Sequence, residues 1–534
     1  MTIPALNSTH TQARRFITQG IEQLTGSSSQ SRFLVSAAPI PTALAMIALA
    51  AHGKTNQARL QQGAAYLAAT RQNETGWGNT PAGPPNPLAT AICDKGLQAC
   101  ELGSITKEII YEAAYLVAKT WTQDFDRLTP GWLPKQGSPL IRLLEALSGR
   151  PLIPSLENLT LKDLSTIANF MPPYGRPTIL AVTLIKDYFR QGLSAKVLAA
   201  ARELLDSTSA DGSWCEDIVV TALAILALHL TGFTGEADRA SQWLCSMQYD
   251  NGGWPSFNQL ANWSVAWAAQ IIGKNDPDIL KLTTPYLLGA ANADGSFGTT
   301  PPYSYPDLDD TAIALLGLAV DSAVSPSLLT KIGNLLVRLQ NWDGSWSTFP
   351  SFSGQLPDCT CAFPVYIKSE DITIHAIQAL RKLNYAKDNL SISRGLDWLL
   401  KRQHKDGAWN STWFLGRTYA TAQAVELLLD LSPDTTPLKN AIHYLLSHQQ
   451  PDGSWETRSA GETGLALYAL LKSGLDPGSR EIQTALRHLL SLQQPDGSFR
   501  PFYSGFYASG LYYEEPLSEA LAAVRAIELY LELS

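Results

Sequence analysis

The chain has 534 residues against a usual ~100–200 per domain, so a single small module is excluded and a large core is available. With 45% hydrophobic and 16% charged residues it is ordinary globular material, neither a disordered polymer nor a polytopic membrane protein. The balance of 40 Lys+Arg against 48 Asp+Glu leaves −8, and no Lys/Arg-rich block occurs, which argues against binding to a nucleic-acid backbone.

In chain order, the apolar spacing predicts one amphipathic helix over residues 11–24. It is followed by Gly26-Ser-Ser-Ser-Gln-Ser31, whose composition marks a boundary. The uncharged run over 33–51 has about the length of a membrane span, but Ser36, Pro39 and Pro41 interrupt its first half, so it reads as a buried loop and helix. The N-terminus shows no basic segment followed by an apolar one. The cysteines Cys93, Cys100, Cys215, Cys245, Cys359 and Cys361 form no CxxC pair. The expectation is a cytoplasmic, reducing setting with buried thiols.

From residue 72 onward a turn keeps returning. Its copies end at Trp77, Trp214, Trp254 and Phe297, then at Trp346, Trp409, Trp455 and Phe499, as in Ala210-Asp-Gly-Ser-Trp214 and Gln450-Pro-Asp-Gly-Ser-Trp455. From Trp214 the gaps between aromatics are 40, 43, 49, 63, 46 and 44 residues, which is one supersecondary unit per repeat. Helical spacing of apolar residues flanks each turn, over 311–320, 372–383, 420–431 and 518–533 for example, and no run alternates as a strand does. The fold class is all-α, with two helices per repeat. Such pairs either stack into an open solenoid or close into a double-layered barrel. The glycine of each turn ends the first helix, and the aromatic two places on packs back, so the turns read as staples between repeats rather than as a site.

Two segments break the repeat's monotony. Tyr305-Pro-Asp307-Leu-Asp309-Asp310-Thr-Ala-Ile sets three carboxylates just before an apolar helix. N-capping and the helix dipole account for one or two of them. A third forces like charges together and makes at least one retain its proton near neutral pH, which suits a general acid. The spacing is not the DDxxD that chelates magnesium to ionise a diphosphate, because Thr311, Ala312 and Ile313 follow Asp310. Downstream, Asp371 and His375 stand at i and i+4, on one face of a helix, where they can touch. On spacing alone such a pair is also an ordinary helix-surface hydrogen bond; next to a carboxylate the ring favours imidazolium.

The Asp307-Leu-Asp-Asp-Thr-Ala run resembles the DxDDTA motif of class II terpene cyclases. The repeated Gln-x-x-x-Gly-x-Trp turns resemble the "QW" motifs of squalene-hopene cyclases and their diterpene relatives, and together they span nearly the whole chain. The resemblance implies two double-layered α-barrels with the active site between them. It places an inserted barrel at 31–270, and a second barrel at 271–534 completed by the N-terminal helix of 1–30. It further implies that Asp309 protonates a terminal alkene with Asp307 and Asp310 as flanking partners, and that His375, supported by Asp371, assists it. An alkene is a poor base and water quenches the cation, so the acid needs a dry, aromatic-lined cavity. Tyr305, Trp413, Tyr419, Phe506 and Tyr512 are the candidates for that lining, with Tyr507 and Tyr513 beside the last two.

Chain length sets this sequence nearer to bacterial class II diterpene cyclases than to typical squalene-hopene cyclases. The expected reaction is cyclisation of geranylgeranyl diphosphate to a bicyclic, copalyl-like labdane or clerodane diphosphate with the diphosphate retained. The alternative is a cyclase of squalene or of a farnesyl compound, the drimane type, with a membrane-facing apolar patch. Two other classes are a zinc-dependent barrel like the β-subunit of protein prenyltransferases and a non-catalytic repeat scaffold. Relatives that handle diphosphates carry a Gly-Phe-Glu whose Glu helps bind Mg2+. The nearest counterpart here, Pro130-Gly131-Trp132-Leu133-Pro134, lacks the acid, and Glu216 and Asp217 are the substitute ligands.

Overall fold

The computed structural model describes residues 3–26, 35–51, 57–72, 75–102, 105–123, 175–255, 260–301, 305–349, 368–500, 502–503, 505–508 and 511–534. Two kinds of helix alternate along them. Pro39–Ala51, Leu308–Leu318 and Glu370–Lys382 are buried on nearly every face. Pro326–Arg338, Leu390–Lys401 and Arg480–Leu492 bury a single stripe. A helix apolar all round belongs inside and an amphipathic one outside, so each repeat contributes one helix to an inner ring and one to an outer ring.

The inner helices close on themselves. Ala261–Ile271 packs against Leu308–Leu318, and contacts then pass in order through Glu370–Lys382, Thr418–Leu431, Ala460–Lys472 and Pro516–Leu533, which returns to Ala261–Ile271. That closure selects a barrel over a solenoid. Among the described residues a second ring runs from Pro39–Ala51 through Pro87–Leu102, Lys107–Gln123, Gly175–Gln191 and Ile218–Thr231 back to Pro39–Ala51. The two rings correspond to two hydrophobic clusters, one drawn from residues 37–254 and the other from the N-terminal helix, Val35 and residues 261–527. A boundary at 270 would put Ala261–Ile271 with the first ring. The helix instead joins the second, because it is the one that closes it.

Helix Ile3–Thr25 lies against Pro516–Leu533 and Pro277–Ala290. His10 and Arg14 meet Glu528 at 3.0 and 3.1 Å, and Arg14 also reaches Asp276 at 2.8 Å. Gln493 donates to the Thr9 carbonyl at 2.8 Å, so the last repeat turn is stapled to the first helix of the chain.

The staples have a repeated chemistry. The indole N–H of Trp77, Trp214, Trp254, Trp346, Trp409 and Trp455 donates in each case to the carbonyl ten residues earlier, at 2.7–2.9 Å. A threonine hydroxyl from the next inner helix accepts the aromatic residue's own N–H: Thr311 for Phe297, Thr373 for Trp346 and Thr421 for Trp409, each at 3.0 Å. The glutamine six places before the aromatic bonds the turn's glycine carbonyl and a carbonyl of another outer helix or its first residues, as Gln340 does to Gly344 and Ser391. By that register the working glutamines of the last two turns are Gln449 and Gln493, each one place before a second glutamine, Gln450 and Gln494. Gly344 has φ +100°, and a Cβ there would lie 2.4 Å from the Arg394 carbonyl, so the turn requires glycine.

Trp409→Ala deletes a fully buried indole and its hydrogen bond. It should destabilise the chain by about 3–5 kcal/mol, seen as a lowered denaturation midpoint in urea; an unchanged midpoint would show that the staples do not hold the repeats.

Candidate active site

The staple threonines give a register for the inner helices. Thr311, Thr373 and Thr421 each lie four residues after the helix N-cap, which is Asp307, Ser369 and Arg417. The second residue of each helix is then Asp309, Asp371 and Tyr419. Three consecutive inner helices thus present a polar side chain at one equivalent position, at the same end of the barrel.

The register also sorts the Asp-rich run by task. Thr311 belongs to the staple. The Asp307 carboxylate is the N-cap and accepts from the N–H groups of Asp309 at 2.8 Å and Asp310 at 3.2 Å. Capping therefore accounts for Asp307 and leaves Asp309 and Asp310. Asp309 receives His375: Nδ1 lies 2.6 Å from Oδ1, with the ring 1% and the aspartate 7% exposed. At that length and burial the contact is a charge-assisted hydrogen bond. Asp310 keeps one carboxyl oxygen, Oδ1, without a hydrogen-bond partner among the described residues.

Protons are held here by burial. Burial first, and Asp309 next, push the Asp307 carboxyl well above the usual carboxylate range. Burial with Asp307, Asp309 and Glu515 does the same to Asp310. Burial first, and the neighbouring Asp309 next, raise the Asp371 carboxyl to about 6.

Asp371 is placed differently from what its i, i+4 spacing suggested. Its oxygens accept from the Thr412 N–H at 2.6 Å and the Thr412 hydroxyl at 2.7 Å, and His375 turns instead toward Asp309. Asp371 therefore acts on the ring through its charge and ties the 411–413 loop to the helix of His375. On the far side of the ring, the Tyr419 hydroxyl lies 3.4 Å from His375 Nε2, and the Trp263 ring stands 5.5 Å from the imidazole, centroid to centroid.

Asp307, Asp309 and Asp310 line one pocket whose other walls are largely apolar. Trp263, Phe349, Trp413 and Phe414 supply aromatic faces, and Leu260, Thr299, Tyr513 and Glu515 complete it. Trp413 is fixed by its indole N–H, which donates to the Thr348 hydroxyl at 3.1 Å. Tyr305 is set one layer back, its ring T-shaped against Phe349 at 5.5 Å. Tyr419 is stacked on Phe414 at 4.0 Å and lines an adjoining hollow with Trp267, Glu462, Ser518 and Glu519 rather than the acid's own pocket. On strand Leu511–Tyr513, the pocket is lined by Tyr513 while the Tyr512 ring meets Tyr503 at 5.9 Å, as alternation along a strand dictates. The backbone of Phe506 lies on the partner strand Gly505–Ala508; its side chain and that of Tyr507 lie outside the described residues.

Sequence reasoning passed over Trp263, Phe349, Phe414 and Glu515. Register would have found Trp263, since it stands at the third position of the inner helix that neighbours Asp310's. Glu515 precedes the last inner helix in the place that Asp307 holds in its own. Phe349 and Phe414 sit in loops, where no periodicity marks them.

Of the Mg2+ ligands suggested by the resemblance, Asp217 and Glu216 lie among the described residues. Asp217 caps Ile218–Thr231 through the Val220 N–H at 2.9 Å. Glu216 is buried, with its carboxyl raised to about 8 by burial and then by Asp211. Among the described residues no group of three or more His, Cys, Asp or Glu is placed to hold a metal ion, and residues 130–134 lie outside them. Nor, among the described residues, is any helix long and apolar enough to cross a membrane.

Comparison with known proteins agrees with this architecture. Residues 295–500 match the squalene-hopene cyclase C-terminal domain. The squalene–hopene cyclase of Alicyclobacillus acidocaldarius is 26% identical over 220 residues, covering 39% of this chain and 30% of the relative. The terpentedienyl-diphosphate synthase of Kitasatospora griseola is 27% identical over 233 residues, 41% of this chain and 42% of the relative. The matches thus span less than half the length of either relative. The ent-copalyl diphosphate synthase of Streptomyces platensis superposes with a TM-score of 0.59 at 18% identity, covering 98% of this chain and 99% of that one, which shows the fold. The resemblance to class II terpene cyclases is therefore shown by sequence over the Asp-bearing region and by fold over the whole chain.

The Asp309–His375 contact has a pH signature. Burial opposes a charged ring, but Asp309, with Asp371 and Glu426, more than offsets it and holds His375 above the usual imidazole value. The folded ring binds its proton more tightly than the unfolded one, so the pair's stabilisation is complete below about pH 6.5 and is lost as pH rises through the folded value. Nitrogen-15 NMR should show His375 titrating above free imidazole and falling back in Asp309→Asn; a ring titrating below free imidazole in the unmodified protein would contradict the pairing.

Proposed function

We propose that this chain is a class II terpene cyclase that protonates a linear polyprenyl substrate. Its most favoured substrate is geranylgeranyl diphosphate, and its product a bicyclic, copalyl-like diphosphate. The observation that carries the reading is Asp309, a buried carboxyl at the wall of an aromatic pocket, bonded at 2.6 Å to a buried histidine.

The chain's own residues perform three tasks in this reading. Asp309 delivers the proton to the alkene carbon that approaches it across the pocket. His375 donates from Nδ1 to Asp309 Oδ1, which withdraws electron density from the carboxyl and stabilises the carboxylate left behind. Asp307 and Asp310, both holding protons through burial, keep the cluster from becoming a trianion. Trp263, Trp413, Phe349 and Phe414 present ring faces to the cation and offer no nucleophile.

Support for a diterpene substrate comes from the Kitasatospora relative, a diphosphate synthase by name, and from the full-length fold match to an ent-copalyl diphosphate synthase. A squalene or farnesyl substrate is the second reading, supported by the match of residues 295–500 to the squalene-hopene cyclase domain. Mg2+ has no assembled ligand set among the described residues, and no step is assigned to it.

Incubation with farnesyl diphosphate, geranylgeranyl diphosphate and squalene, extracted with and without phosphatase, separates these readings. Cyclic alcohol appearing only after phosphatase treatment of the geranylgeranyl reaction is the expected result; a cyclic hydrocarbon from squalene favours the second. Asp309→Asn should lower turnover on the order of 10^3-fold or more while leaving the fold intact, and most of the activity surviving that change would refute the assignment.

A further inference from the structure

Three buried polar atoms in the walls of the acid's pocket have no hydrogen-bond partner among the described residues: Trp263 Nε1, Asp310 Oδ1 and Glu515 Oε1. Their residues are 6%, 4% and 3% exposed. One donor and two carboxyl oxygens on residues that line a single hollow are the complement that holds an ordered water. Capping does not account for the burial of Glu515, whose carboxyl has Ser518 beside it. It stands at the N-cap of Pro516–Leu533 without making a side-chain cap bond.

Behind Glu515, Ser518 and Glu519 follow at i+3 and i+4, on the same face of the helix. Both line the adjoining hollow together with Glu462 and Tyr419. Glu519 accepts from the Gly461 N–H, and Glu462 from the Thr457 N–H at 2.6 Å. The first turn of one inner helix therefore carries a ladder of carboxyl and hydroxyl groups from one hollow to the other.

We propose that Glu515, through a water held by Trp263 and Asp310 and with Ser518 and Glu519 behind it, is the relay that returns a proton to Asp309 after each turnover. The inference rests on the reading of Asp309 as the acid. After the alkene has taken its proton, Asp309 is a carboxylate. The Glu515 O–H bond breaks and its proton passes to the water, and the water gives one of its own to Asp309. Glu515 takes a replacement through Glu519 from bulk solvent. The proton lost by the final cation returns to solvent, so the cycle consumes none. The titratable groups facing Glu515 are Asp307, Asp309 and Asp310 across the pocket, Tyr513 two places before it, Glu519 one turn on, and Tyr419. Burial first and Glu519 second raise the Glu515 carboxyl to about 8, so it holds a transferable proton at neutral pH and loses it above that value.

The test compares the first turnover, with enzyme in excess, against steady-state cycling. Geranylgeranyl diphosphate is the probe, or squalene if the substrate panel selects it. Glu515→Gln should leave the first turnover within about twofold and lower steady-state kcat about 10–100-fold, producing a burst, and should abolish the fall in kcat above about pH 8. Glu515→Asp, which keeps the acid, should recover most of the cycling rate and guards against a Gln variant that fails to fold. Wild-type cycling in Glu515→Gln, or a first turnover reduced in the same proportion as the steady state, would overturn the relay. Asp309→Asn run alongside should be silent in both phases; turnover there would overturn the acid assignment instead.

Discussion

A carboxylic acid protonates an alkene only if its conjugate base is stabilised and solvent is kept away. In the proposed reaction the contact between Asp309 and His375 serves the first demand, and the largely apolar pocket walls serve the second. At 2.6 Å in a buried setting, the imidazole is placed to compensate the charge that the proposed proton transfer would leave on Asp309. The same low dielectric would make an isolated imidazolium costly, and Asp371 and Glu426 supply the remaining countercharge. Removing any one of these groups leaves a buried charge without its complement.

The barrel delivers these groups by repetition. Each inner helix starts at the same end, so residues in the first turns of successive helices gather there: Asp309 and Asp310, then Asp371, then Tyr419, with Trp263 and Glu515 from two of the three helices that complete the ring. A repeat made for stacking thereby becomes a ring of helix N-termini around one hollow. Its staples and its site share residues. Thr311 fixes Phe297 two positions after Asp309, and Asp307 caps the helix through the N–H of Asp309 itself.

Much of this was readable before any coordinates. The turn spacing fixed the repeat, and apolar periodicity fixed two helices per unit, since both depend on local sequence. Closure was not readable, because it requires Ala261–Ile271 to meet Pro516–Leu533 across some 250 residues. The three-Asp run stood out because like charges in sequence are necessarily close in space, whereas the partner of His375 did not. The i, i+4 geometry favoured Asp371, and a tertiary contact with Thr412 drew that carboxylate away. Among the aromatics, Trp413 lines the acid's pocket, Tyr419 stands behind His375, and Tyr512 gives its place to Tyr513, differences that a shift of one residue or one rotamer decides. Glu515 was passed over because a Glu-Glu pair before a proline looks like surface in one dimension.

The central claim is that a solvent-exchangeable proton held on Asp309 becomes a carbon-bound hydrogen of the product. Running the reaction in deuterium oxide and locating the label by NMR tests it directly. One deuterium per product molecule, bound at the carbon protonated in the first step, is the predicted result; a cyclised product without that carbon-bound deuterium would contradict the account.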